Sequence, residues 1–171
     1  KLSGDRMDVR VRETNLGNAV ADALLDYGQS AFTHKSNLAV TNGGGLRETI
    51  AKDKPITKGD IIAVLPFGNS VAQIQVTGQN IYDMFVKSLG SILQVDESGK
   101  NVFDENGQPL LEPSGGFLQV AGGRVYYDTT LPTEKRILSI DILDPETGVY
   151  KPLNITETYY LVTNDFLACW W

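Results

Sequence analysis

The stretch Leu38-Ala39-Val40-Thr41-Asn42-Gly43-Gly44-Gly45 constrains this chain more than any other. A short apolar run rich in β-forming residues reads as a buried strand, and three successive glycines cannot prolong it, so the chain is forced into a turn. Glycines at that point let a ligand approach the backbone closely. Arg47, two residues after the last glycine, could hold an anion with paired guanidinium donors. The plain alternative is a tight turn followed by a solvated arginine. No Gly-Lys-Ser/Thr follows, so this is not a phosphate loop of the Walker type, and the glycine spacing is not that of a dinucleotide fingerprint.

Helical and extended periods mix on either side of this turn. Leu16, Ala19, Val20, Ala23, Leu24 and Tyr27 share one stripe of a helix, capped by Thr14 or Asn15 and ended by Gly28. Thr57 to Ile62 suits one helical turn, Ser70 to Val76 alternates as a strand, and a second helix is expected from about Gln79 to Leu93, burying Ile81, Met84, Phe85, Leu89 and Ile92. Residues 96–114 carry two turn signals around Val102-Phe103 and read as a protruding hairpin or loop. A calcium loop there fails on ligand spacing, with Lys100 where a third oxygen is needed. Strands follow at Phe117 to Ala121, Arg124 to Asp128, Ile137 to Leu143 and Tyr159 to Thr163, with a strong turn at Asp144-Pro145-Glu146-Thr147-Gly148. Without a regular βαβ rhythm, the expected fold is a mixed α/β domain, with mixed β-sheet layers flanked by helices, rather than a doubly wound one. No shift in composition divides the 171 residues.

Composition removes several classes of function. One histidine and one cysteine are too few for a self-contained catalytic metal centre and rule out an internal disulfide. A net charge of −6 argues against the broad basic footprint that holds nucleic acid. No apolar run reaches membrane-spanning length. No paired nucleophile and base stands out, and Ser114-Gly115-Gly116 lacks the nucleophile elbow, so no catalytic residue is assigned. Of the weaker signals, His34 reads as a surface residue and Asn154-Ile155-Thr156 as a chance glycosylation sequon.

The remaining polar and aromatic residues point to ligand binding. Phe67, in the turn-like Pro66-Phe67-Gly68-Asn69, is placed to stack on a flat ligand, with Asn69 beside it to read an edge; a ring tucked under a loop is the alternative. Asn164-Asp165-Phe166 repeats a polar pair and an aromatic after a strand, so two rings could sandwich a base. Arg6, Arg10 and Arg12 cluster before the first helix, as an anion site or as part of an exposed charged strand. Together these features suggest a domain that holds a flat anionic molecule.

Five motifs then occur in a family's order: Arg10-Val11-Arg12-Glu13-Thr14-Asn15-Leu16-Gly17-Asn18, Asn42-Gly43-Gly44-Gly45-Leu46-Arg47, Leu65-Pro66-Phe67-Gly68-Asn69, Gly115-Gly116-Phe117-Leu118-Gln119-Val120 and Thr163-Asn164-Asp165-Phe166-Leu167-Ala168. From about Leu2 to Ala168 the chain resembles the C-terminal, substrate-binding domain of 5'-nucleotidases, a family that includes 2',3'-cyclic phosphodiesterases and UDP-sugar hydrolases. The resemblance implies that Phe67 and Phe166 stack on the two faces of the base, and that Asn42 hydrogen-bonds it. It also implies that Asn69 and Gly115 line the pocket, while Arg10 and Arg47, joined by Arg6, face ribose and phosphate. The family continues after Ala168 into a glycine-rich loop whose aspartate holds the ribose hydroxyls. Here residues 169–171 read Cys169-Trp170-Trp171, an aberrant tail of the kind a one-base insertion in a Cys-Gly-Gly segment would produce.

The resemblance further implies no cofactor in this chain. Two divalent metal ions belong to a separate N-terminal metallophosphoesterase domain with Asp-x-His and Gly-Asn-His motifs, which does the hydrolysis. The expected role is therefore nucleotide binding for a secreted, cell-surface or periplasmic bacterial phosphohydrolase, with the chain inactive alone. The competing role is a non-enzymatic interaction module at a cell surface.

Overall fold

The computed structural model describes residues 1–170. Helix α1 (Asn15–Ser30) is followed by β1 (Leu38–Asn42), a 3-10 turn at Gly43–Gly45, α2 (Lys58–Val64), β2 (Val71–Thr77) and α3 (Gly78–Ser88). Strands β3 (Leu118–Ala121), β4 (Gly123–Tyr127), β5 (Ile137–Leu143), β6 (Tyr150–Pro152) and β7 (Thr158–Asn164) complete the sheets, and α4 (Asp165–Ala168) follows directly. One sheet has the order β2-β7-β1-β3, with β1 and β7 parallel and the outer pairs antiparallel; β4-β5-β6 form a second, antiparallel sheet. The mixed α/β architecture is the one expected.

The first sheet is covered on both faces, which is why β1 is apolar without alternation. Leu38, Val40 and Leu161 pack with Ile81, Met84 and Phe85 of α3 and with Ile140 and Ile142 of the second sheet. Ala39, Ala121 and Val162 on the opposite face meet Ala21 and Leu25 of α1. Helix α1 lies close to that face because its buried stripe is partly made of glycine: Leu16, Gly17, Ala21, Leu25 and Gly28. A Cβ on Gly28 would lie 2.6 Å from Ser36 Oγ and 2.9 Å from Val162 Cβ.

This corrects two sequence expectations. Gly28 does not end the helix, which runs on to Ser30 and is closed by the Ala31 N–H donating to the Tyr27 carbonyl. Ala19, Ala23 and Tyr27, expected on the buried stripe, are exposed, Tyr27 by 53%, because an apolar count gives glycine no weight and rotates the expected face away from the true one. Helix α3 is likewise shorter than expected and leaves Ile92 74% exposed. Past its end, the buried Arg136 donates to the carbonyls of Leu89 and Ser91, satisfying groups the helix has left without partners. The short edge strand β6 was not foreseen; Pro152 at its end suits a position that need not donate to a neighbour.

Residues 96–110 form two tight turns, as expected, each built around an aspartate. Asp96 Oδ1 accepts from the Ser98 and Lys100 N–H groups, and Asp104 Oδ1 from those of Asn106 and Gln108. These carboxylate oxygens are committed to their own backbone. Asp144 shows the same use in the Asp144–Gly148 turn, where the 2.6 Å hydrogen bond from Lys151 and then the Glu146 N–H hold its pKa down at about 2.

Two outcomes follow. Gly28→Ala overpacks the α1 interface and lowers the unfolding free energy by about 1–3 kcal/mol in urea titration, whereas Ala23→Gln on the exposed side changes it by less than about 0.5 kcal/mol. Because the folded pKa of Asp144 lies below the ordinary aspartate value of about 3.9, its contribution is present above pH ~4 and lost as pH falls to about 2. Melting curves across that window flatten in Asp144→Asn.

Candidate functional site

Strand order brings separate pieces of sequence to one place. Because β1 and β7 run parallel as neighbours, their C-terminal residues Asn42 and Asn164 emerge side by side. The antiparallel partners begin there: Val71 of β2 lies opposite Asn164, and Leu118 of β3 lies opposite Asn42. The loop carrying Phe67 and Asn69 and the loop carrying Ser114 to Phe117 are thus delivered to the same end of the sheet as the glycine turn and α4.

A cavity of about 1000 Å³ opens at this end, and Asn42, Phe67, Asn69, Gly115 and Phe166 all line it. Phe67 is 59% and Phe166 52% exposed, so both rings face the opening rather than the core. Phe67 is presented by a turn whose next residue, Gly68, has φ +65°, a conformation that favours glycine. Phe166 rides on α4, whose first turn is capped by Asn164 Oδ1 accepting the Leu167 N–H at 2.8 Å. A second cavity of about 290 Å³, between β4 and the end of α3, contains none of the expected site residues.

Arg10 and Arg47 adjoin residues that line the large cavity, and Arg6 lies close enough to Arg10 for their charges to repel. A Cβ placed on Gly115 would lie 3.9 Å from an Arg10 terminal nitrogen, and the Ser114 N–H donates to the Arg10 carbonyl at 3.0 Å. The Arg47 guanidinium carbon lies 5.6 Å from the Phe67 ring centroid, within cation–π range, and Arg47 donates to the Gly44 carbonyl at 3.4 Å. Burial, then the positive charges of Arg6 and Arg47, push the Arg10 pKa below its ordinary value. Among the described residues none of these three arginines pairs with a carboxylate, and the buried Arg10 Nε has no hydrogen-bond partner. An anion between them would relieve both conditions. Arg12, by contrast, is spent on Asp8 at 2.6 Å and Glu105 at 2.7 Å.

Two residues absent from the sequence-derived site hold it together. Gln119, only 1% exposed, accepts the Thr14 N–H through Oε1 and donates through Nε2 to the carbonyls of Val9 and Arg12. It ties β3 to the segment that carries Arg10. Its signal was a glutamine within the apolar run Phe117 to Ala121. Asn164 donates to Asn42 Oδ1 at 3.4 Å, and Asn42 Nδ2 donates to the Gly115 carbonyl at 3.1 Å. Trp170, assigned from sequence to the aberrant tail, lines the cavity with its ring centroid 5.9 Å from that of Phe166. Trp171 lies outside the described residues. His34 stacks on Tyr160 at 4.2 Å and takes no part in the site.

Among the described residues no group of three or more His, Cys, Asp or Glu side chains is arranged to hold a metal ion. What converges instead is a pair of exposed rings, several amides and the neighbouring guanidinium groups of Arg10 and Arg47, which pair with no carboxylate among the described residues. Residues 1–169 match the family model for the 5'-nucleotidase C-terminal domain, and the chain belongs to that family.

Particular relatives agree. The chain is 35% identical over 169 residues to the trifunctional nucleotide phosphoesterase protein YfkN of Bacillus subtilis, covering 98% of this chain and 10% of that protein. It is 29% identical over 175 residues to human 5'-nucleotidase, covering 98% of this chain and 27% of the relative. Its fold superimposes on the crystal structure of a 5'-nucleotidase precursor from Thermus thermophilus with a TM-score of 0.76 and 33% identity, covering 98% of this chain and 28% of that one. The chain therefore spans between a tenth and little more than a quarter of the length of these relatives.

Two substitutions separate holding the site from using it. Gln119→Leu strands three backbone groups and lowers stability by about 2–4 kcal/mol in denaturant titration. Arg10→Met removes a crowded charge, so the melting temperature in phosphate-free buffer stays level or rises, while the stabilisation that wild type gains from inorganic phosphate is lost.

Proposed function

We propose that this chain grips the nucleotide substrate of a 5'-nucleotidase-like phosphohydrolase and contributes none of the bond-breaking groups. The observation that carries this reading is the meeting, at one cavity, of two exposed rings, with Arg10 and Arg47 beside its lining residues Gly115 and Phe67 and neither arginine paired with a carboxylate among the described residues. A base between Phe67 and Phe166 gains stacking on both faces. The Asn42 and Asn69 amides then meet its edges, and Arg10 and Arg47, supported by Arg6, hold the phosphate. Gly115, without a side chain, leaves the wall open toward Arg10.

The metal chemistry belongs in this reading to a separate N-terminal metallophosphoesterase domain, where two divalent ions supply activated water for attack on phosphorus. The contribution of the present residues is orientation: rings fix the plane of the base, amides its rotation, and guanidinium groups the position of the phosphate. We place such an enzyme outside the cytoplasm, secreted, on the cell surface or in the periplasm, acting on extracellular nucleotides.

Calorimetry with AMP and adenosine tests the reading. Stacking on one ring is worth about 1–3 kcal/mol, so Phe67→Ala weakens both ligands by roughly fivefold to a hundredfold. Arg47→Ala weakens AMP and leaves adenosine nearly unchanged, because only AMP carries the anion. Equal binding of both ligands by wild type and Phe67→Ala rejects the stacking role. The isolated chain shows no phosphatase turnover with added Mn²⁺ or Zn²⁺; release of phosphate above buffer rates contradicts the division of labour.

A further inference from the structure

We infer that Asn164 is a positioning residue that sets the sense of the Asn42 amide in the cavity, and thereby which hydrogen-bonding edge of a base the cavity accepts. The second half of this inference rests on the proposed reading of the cavity as a base site.

The argument starts from a backbone donor that cannot turn. The Leu167 N–H in the first turn of α4 is taken by Asn164 Oδ1 at 2.8 Å. That bond fixes the Asn164 amide with Nδ2 on the other side, where it faces Asn42 at 3.4 Å. Asn42 must answer a donor with Oδ1, and its own Nδ2 then lies against the Gly115 carbonyl at 3.1 Å. Gly115 is a fixed acceptor, because its carbonyl also takes the Gly44 N–H at 3.0 Å. The relay is therefore bounded by a backbone donor at one end and a backbone acceptor at the other, and only one sense of both amides satisfies it. Turning Asn42 over alone would set N–H₂ against N–H₂ and carbonyl oxygen against carbonyl oxygen.

Asn42 has no competing local duty. It stands at the cap position of the 3-10 turn, but its side chain caps nothing there. It lines the cavity, and after the relay it retains one Nδ2 hydrogen and one Oδ1 lone pair in a fixed order. Such an amide separates ligands by the order of donor and acceptor along their edge. Adenine, with an amino group beside an acceptor nitrogen, and hypoxanthine, with a carbonyl beside an N–H, present opposite orders.

The test uses Asn164→Asp and Asn164→Ser. Aspartate accepts the Leu167 N–H and preserves the cap, yet has no N–H for Asn42, so the Asn42 amide turns to donate to the new carboxylate. Serine preserves the cap and ends short of Asn42. The Asn42 side-chain amide resonances, assigned by their loss in Asn42→Ser, and the Gly115 carbonyl resonance are followed by NMR without ligand. Both move in Asn164→Asp, while the α4 amide resonances stay close to wild type. In calorimetry the inosine-to-adenosine ratio of dissociation constants shifts at least fivefold in Asn164→Asp, away from the base that wild type prefers, and shifts in the same direction by a smaller factor in Asn164→Ser, where the Gly115 carbonyl still holds one side of the Asn42 amide. Unmoved Asn42 and Gly115 resonances in Asn164→Asp overturn the relay. Moved resonances with an unchanged nucleoside ratio overturn its role in selectivity. Moved resonances with no nucleoside binding by wild type support the relay and overturn the base reading of the cavity.

Discussion

The parallel pairing of β1 with β7 is the contact on which the rest of the site depends. It sets Asn42 beside Asn164 at one end of a sheet that is buried on both faces, and neither strand can slip by one residue. A slip would exchange Leu38 and Val40 with Ala39, and Leu161 with Val162, turning large side chains toward the close-packed glycine face of α1 and small ones toward α3. The core thus specifies the register, and the register places the amides. The antiparallel partners then deliver the two remaining loops to the same end.

The electrostatics of this end run against the rest of the molecule. The chain carries a net charge of −6, yet Arg10 and Arg47 lie beside the cavity's lining, with Arg6 acting on Arg10, and among the described residues none of the three pairs with a carboxylate. Such crowding costs stability, and the fold holds it in place from behind: Gln119 pins the Arg10 segment through three backbone groups. A local cationic focus on an acidic protein attracts a small anion without inviting the extended contacts of a polyanion.

Much of the fold was legible from local patterns. The tri-glycine after an apolar strand, the alternation of β2 and the aspartate turns of 96–110 all act over a few residues, and each appears where the pattern puts it. The face of α1 was misread because its contact depends on side chains that are absent; Gly17 and Gly28 count as nothing in an apolar tally and as close approach in the structure. The end of α3 escaped because Arg136, almost fifty residues later, serves the carbonyls beyond it. Of the site, the rings and arginines were visible as residue types in unusual settings and through the ordered motifs of a family. Gln119 and the Asn164 relay were not, since their work lies in partners 105 and 122 residues away.

The account rests on one arrangement: a base between Phe67 and Phe166 with its phosphate turned to the arginines. A crystal structure of the chain with bound AMP tests it most directly. The account predicts the adenine ring between the two phenylalanines, and phosphate oxygens within hydrogen-bonding distance of Arg10 and Arg47. AMP bound with its phosphate away from the arginines, or bound in the smaller cavity beside β4, would contradict it.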